Sequence, residues 1–259
     1  MHNPINFTVS RVGSLVFFAT LLLGAPSRAQ NPANFPEFAK GDYSPAALGP
    51  REPELRIDYP GSALARGITN GRAVVSVLVG ADGKVMDSLA IGYTDKAFAK
   101  ALVDHVQSLD YRAATFKGQT VPGRFDIGYQ FEKANAELNS MDAGRSMTEQ
   151  IQGSKLSYSS VSEKKLDRPL EFTNAALPRI PLNFKADSDA PVKVFVTFYV
   201  DEEGHVRVPN VDSASSPALI AGALKAVRTW TFKPGTVAGK PVLVYAGRSV
   251  GFVPREVTP

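Results

Sequence analysis

The chain repeats itself at an offset of 121 residues, and this repeat limits the possible folds more than composition does. Tyr59-Pro60 falls on Ile180-Pro181, Asp82-Gly83 on Glu203-Gly204, Gly118 on Gly239, Val121 on Val242 and Phe131 on Phe252, with no gap between the first match and the last. Few letters are identical, so the pattern carries the match. Ala73, Val75, Val77 and Val79 correspond to Val194, Val196, Phe198 and Val200, an apolar face at period two. The opposite face reads basic, bulky, hydroxyl, bulky in both copies: Arg72, Val74, Ser76 and Leu78 against Lys193, Phe195, Thr197 and Tyr199. Chance alternation would not reproduce both faces, and a second face carrying Val74, Leu78, Phe195 and Tyr199 favours covering by a partner.

Each copy continues in the same order. A tight turn containing Gly83 or Gly204 leads to a second strand, near Val85 to Ile91 and Val206 to Val211. Asp95 and Ser216 can each cap a helix start, with Pro217 at a first helical position that tolerates proline. Phe98, Leu102, Val106 and Leu109 share one helical face, and Leu219, Ala223, Val227 and Trp230 repeat it. Phe232 carries the apolar pattern inward after the helix, and Pro234 prevents the helix from resuming. A last strand holds Phe125, Ile127, Tyr129 and Phe131 in copy one, and runs from Val242 to Phe252 in copy two.

This order, from Tyr-Pro through strand, turn, strand and capped helix to Trp-x-Phe-x-Pro, Gly-x-Pro-Val and a terminal strand, resembles the C-terminal domain of TonB-like proteins. Copy two carries Trp230, Phe232, Pro234, Gly239, Lys240, Pro241 and Val242. Copy one keeps Tyr59, Pro60 and Gly118 but has Leu109, Tyr111 and Ala113 where the family has Trp, Phe and Pro. The resemblance implies an α+β fold of two tandem domains, each a three-stranded sheet with helices packed on one face. In the family, the last strand receives an extended peptide from an outer-membrane receptor. Carried to this chain, the peptide-binding edge is Val242, Val244, Tyr245, Gly247, Arg248 and Val250.

The expected organisation is a signal peptide over 1–29, a linker over 30–55, the first repeat over 56–133, a polar linker over 134–170 and the second repeat over 171–255. The signal reading rests on Arg11, the apolar run from Val12 to Ala25, and small residues flanking Arg28. That run gives roughly 21 Å of helix, short of the ~30 Å of hydrocarbon that a span must cross. Cleavage near Ala29 would leave a periplasmic protein. A retained anchor would instead revive a TonB-type energy transducer, although four residues after Ser14 stands Phe18 where the family's motor-engaging helix has histidine. The polar linker predicts that fragments 30–135 and 160–259 fold separately.

A net charge of +4 with no basic stripe argues against nucleic acid, and the absence of cysteine excludes disulfides and thiol chemistry. His105 and His205 lack ligand spacing, and no nucleophile elbow is present, so neither an enzyme, a small-molecule substrate, a cofactor nor a metal is expected. Two roles remain: capture of an envelope or receptor peptide by edge-strand pairing, or a structural role in which the repeats pack together or self-associate.

Overall fold

The computed structural model describes residues 38, 41–49, 57–132, 155–181, 184 and 192–253. The expected signal segment, most of the stretch 30–55, residues 134–154 of the expected linker and the acidic run from Asp187 to Asp189 lie outside the described residues. The fold is mixed α+β and mostly sheet.

In the first half, strand β1 (Asn70–Val79) turns into β2 (Val85–Tyr93), helix α1 (Lys96–Val106) follows, and β3 (Gly123–Glu132) returns on the other side of β1. The segment between the halves supplies two two-residue strands, β4 (Tyr158–Ser159) and β5 (Val161–Ser162). The second half then runs β6 (Lys193–Val200), β7 (Val206–Ala214), helix α2 (Pro217–Val227) and β8 (Val244–Gly251).

Pairing follows the sequence offset closely. Val75 lies opposite Ile127 and Leu78 opposite Arg124; 121 residues on, Val196 lies opposite Arg248 and Tyr199 opposite Tyr245. A bulge between Val74 and Val75 recurs between Phe195 and Val196. The symmetry breaks at Val208, a β-branched residue at φ 37°, where a second irregularity pairs Tyr199 with Arg207 while Leu78 keeps Asp87. Such a conformation costs about 1–3 kcal/mol and persists only where the surroundings enforce it. Here Asp87 accepts the Val208 amide at 3.1 Å and the Arg207 guanidinium at 2.7 and 3.1 Å.

Each helix seals one face of its sheet. Asp95 and Ser216 accept the amides of Ala97 and Ala218, satisfying donors left open at a helix start. Phe98, Leu102 and Val106 are fully buried, as are Leu219, Ala223 and Val227. Trp230 lies edge-on to Phe172 and Phe198, and its indole N–H donates to the Ala176 carbonyl at 2.7 Å. Tyr59 packs edge-on to Phe98 and donates its hydroxyl to Ile68, while Pro60 leads the single helical turn Gly61–Leu64. Lys117-Gly118 and Ala238-Gly239 are matching two-residue hairpin turns with positive φ at both positions.

The second sheet faces are also covered, each by the other half. Leu78, Tyr199, Val208 and Leu243 form a buried cluster along the seam. Asp87 bonds its equivalent Val208, and Arg124 bonds its equivalent Tyr245, as a two-fold relation places near its axis.

The three-stranded expectation needs correcting. The sheet orders are β3-β1-β2-β4 and β5-β8-β6-β7, so the expected linker adds a fourth strand to each sheet. The reason is the exposed main chain of a sheet edge, which is stabilised by any extended segment that pairs with it. Tyr158 stacks on Tyr93 at 4.7 Å and donates to Glu202 at 2.6 Å, tying β4 to both halves. Further on, the Asp167 carboxylate accepts the Gly239 amide, the Thr236 hydroxyl and the Ala238 amide, each at 2.9 Å. These bonds hold its pKa below the usual carboxylate value, the Gly239 bond first. A depressed carboxylate contributes stability above its unfolded pKa, about 3.9, and loses it as pH falls through the folded value. Asp167→Asn is therefore expected to flatten the acid limb of stability against pH, read from urea melts between pH 6 and pH 2.

Candidate functional site

The candidate site is the outer edge of β8. Side chains alternate along it: Val244, Ala246 and Val250 are buried in the main core, whereas Tyr245 and Gly247 turn toward the first half. A Cβ at Gly247 would lie 2.8 Å from the Phe195 ring, so any larger residue there has to displace that ring. Main-chain groups alternate in the plane of the sheet. Val161 donates its amide to Leu243 at 2.9 Å, which fixes the odd-numbered residues as those whose main chain faces outward.

That outward edge is occupied at both ends by the chain itself. Strand β5 pairs in parallel at Val244 and Tyr245. Beyond the far end, Val253 exchanges backbone bonds with Pro178 and Ile180 at 3.1 and 3.2 Å. Between them Gly247, Ser249 and Gly251 have no strand partner among the described residues on this side, and Ser249 and Gly251 are exposed. The Gly247 carbonyl accepts Arg248 Nη1 at 2.8 Å. The opening spans five residues, about 17 Å of strand.

Arg248 marks the rim. Its guanidinium forks onto Glu163 at 2.6 and 2.7 Å and lies 5.9 Å from the Phe172 ring. The pair is about a quarter exposed on each side, and it pins the residue that follows β5 beside the opening.

Among the residues expected at the edge, Tyr245 and Gly247 have outward main chain. Val244, Arg248 and Val250 direct theirs to β6, and Val242 precedes the strand and donates to Gly235. Ser249 was missed. Its signal is parity: once Val244 and Val250 are assigned to the core, the odd residues between them must face the other way. Of the residues of the family pattern, Gly83, Gly118, Gly204 and Gly239 sit at turns, Trp230 and Phe232 lie in the core against Phe172, Tyr59 and Pro60 are half-buried, and Pro234 is exposed.

Among the described residues one cluster has metal-ligand chemistry. Asp201, Glu203 and His205 bring ligand atoms within 4.8 Å of one another at the β6–β7 turn. Asp201 Oδ1 already accepts the amides of Glu203 and His205 at 3.2 and 2.8 Å, which is the bonding of a turn-forming carboxylate.

Residues 191–254 match the family model described as Gram-negative bacterial TonB protein C-terminal. The match spans the second half from just before β6 to just beyond β8, and supports the TonB C-terminal family for that half alone. No curated protein matches the chain. No helix among the described residues is long and apolar enough to cross a membrane.

Proposed function

We propose that the chain is an exported, periplasmic, TonB-like binding protein of the cell envelope, and that a short extended segment of an envelope or outer-membrane protein pairs with the open part of β8. The observation that carries this reading is the outward main chain of Gly247, Ser249 and Gly251, left without a strand partner among the described residues and inside the stretch that matches the family. Main-chain bonds would supply affinity with little demand on sequence, and Arg248 at the rim would contribute to selection. The chain's own β5 and residues 178–180 frame the opening, so the partner segment is short, three to five residues in contact.

A second reading, a structural protein whose repeats pack on each other, is favoured by the buried seam of Leu78, Tyr199, Val208 and Leu243. The two readings differ at Ser249. Proline there removes an outward amide while leaving the bonds to β6 intact. In titrations of labelled protein with peptides from outer-membrane receptors, Ser249→Pro is expected to abolish binding with little change in melting temperature. Unchanged binding by the variant, or no binding by the parent protein, would leave the structural reading.

A further inference from the structure

The first half has an open edge of its own. Its sheet ends at β3, and no strand pairs with the outer side of β3 among the described residues. The Asn210 side chain accepts the Arg124 amide at 3.0 Å, which fixes the even-numbered residues of β3 as those whose main chain faces outward and closes the edge at the seam. Asp126, Gly128 and Gln130 follow, 121 residues before Gly247, Ser249 and Gly251. The two edges differ in how they are framed. Strand β5 and residues 178–180 leave room on β8 for a short flexible segment, whereas no described segment pairs with β3 beyond Asn210, so the edge of a folded sheet can approach it.

Gly128 indicates what approaches. Its φ is not positive, and β1 pairs with β3 through this point without a register shift, so neither a turn nor a bulge calls for glycine. A Cβ there would meet Val74 Cγ2 at 4.0 Å, an ordinary contact, so packing among the described residues does not call for it either. A glycine inside a regular strand marks the close approach of another main chain. The sequence around Gly128 is also complementary to itself. Antiparallel pairing centred there sets Gly128 opposite Gly128 and Asp126 opposite Gln130, twice over. The Asp126 side chain is 34% exposed; its Oδ1 accepts the Ser76 hydroxyl at 2.6 Å, and its Oδ2 accepts nothing among the described residues. The half-buried Gln130 carboxamide has no partner among the described residues, so its NH₂ is available to that oxygen. On the other face the half-buried Tyr129 comes opposite Ile127.

We propose that β3 is a self-association edge: two copies of this chain pair antiparallel along residues 126–130, about a two-fold axis through Gly128, and join their first sheets into one continuous sheet. Asp126, Gly128 and Gln130 each exchange both main-chain bonds with the residue opposite, and each Gln130 donates to the partner's Asp126. The contact is short, so the dimer assembles and dissociates with concentration rather than being permanent. The β8 opening takes no part in it, and the proposal stands or falls independently of peptide docking there.

The test is sedimentation velocity of the full chain over a wide concentration range, with amide exchange read at both ends of it. The dilute protein is expected to be monomeric with fast exchange at Asp126, Gly128 and Gln130, and the concentrated protein dimeric with those amides protected. Two substitutions at one position should then act in opposite directions. Gln130→Lys sets an ammonium against the partner's Asp126 and is expected to tighten the dimer. Gln130→Glu removes the donor and adds a like charge, and is expected to weaken the dimer about tenfold or more. Both should leave the melting temperature of the dilute monomer unchanged. Gly128→Pro removes the central amide and is expected to abolish the dimer; because it can also disturb the strand, the Gln130 pair decides. A monomer at every concentration would overturn the proposal. So would slow exchange at these three amides in the dilute monomer, which would mean that the chain covers its own edge, or their protection there by an added receptor peptide, which would assign the edge to peptide. A dimer indifferent to both Gln130 variants would place the contact on another face and overturn it as well.

Discussion

Replacing Trp230 with alanine is expected to cost about 3–5 kcal/mol, the range for deleting a large buried aromatic side chain. Trp230 is 3% exposed and closes the apolar face of α2. Its edge contacts to Phe172 at 5.3 Å and Phe198 at 6.1 Å, and its hydrogen bond to Ala176, are lost together. The Ala176 bond matters beyond packing, because it holds the segment that goes on to pair with Val253 at one end of the β8 opening. The buried seam argues for one unfolding transition rather than the two that linker composition suggests. Calorimetry of the variant is thus expected to show a single peak at lower temperature. A loss confined to one of two resolved peaks would mean that the halves unfold independently.

Gly204→Ala is expected to be nearly as damaging, although it adds only one methyl group, at a buried position of a hairpin turn. Gly204 has φ 91°, and a Cβ there would lie 2.0 Å from the Phe232 carbonyl oxygen. The glycine carbonyl accepts the Phe232 amide at 2.8 Å, so the hairpin cannot move away without breaking a bond to the strand that follows α2. Positive-φ strain alone costs about 1–3 kcal/mol, and the clash adds to it. Gly239→Ala is the control. Its φ is 73° but nothing lies within 4 Å of the added carbon, so only the backbone term, about 1–2 kcal/mol, is expected. Urea midpoints of the two variants should differ clearly; equal losses would mean that the close approach of Phe232 is not what fixes glycine at 204.

The contrast between these positions shows what the sequence could reveal. Period-two faces in β1 and β6, the capped helices and the hairpin glycines were legible because each rests on local geometry that few residue types satisfy. The seam was legible only as a surplus: Leu78 and Tyr199 are too apolar for a solvated face, yet nothing in their spacing names what covers them. Strands β4 and β5 were not legible at all. Two residues cannot display a period, and Ser159 and Ser162 read as loop until the β2 and β8 edges are seen to need partners. Asp167 falls within the polar linker, where nothing local marks it, because its bonds reach residues about 70 positions away. The buried state of Arg124 was hidden for the same reason, since its partners Thr197 and Tyr245 come from the other half.

Amide exchange along β8 tests the edge reading most directly, because it reports which main-chain groups are already paired. In the free protein the amides of Val244, Ala246, Arg248 and Val250, directed to β6, are expected to be protected, and that of Tyr245 partly so through β5. Those of Gly247, Ser249 and Gly251 are expected to exchange fast and to become protected when an envelope peptide is added. Slow exchange at Gly247 and Ser249 in the free monomer, or fast exchange there at saturating peptide, would contradict docking on this edge.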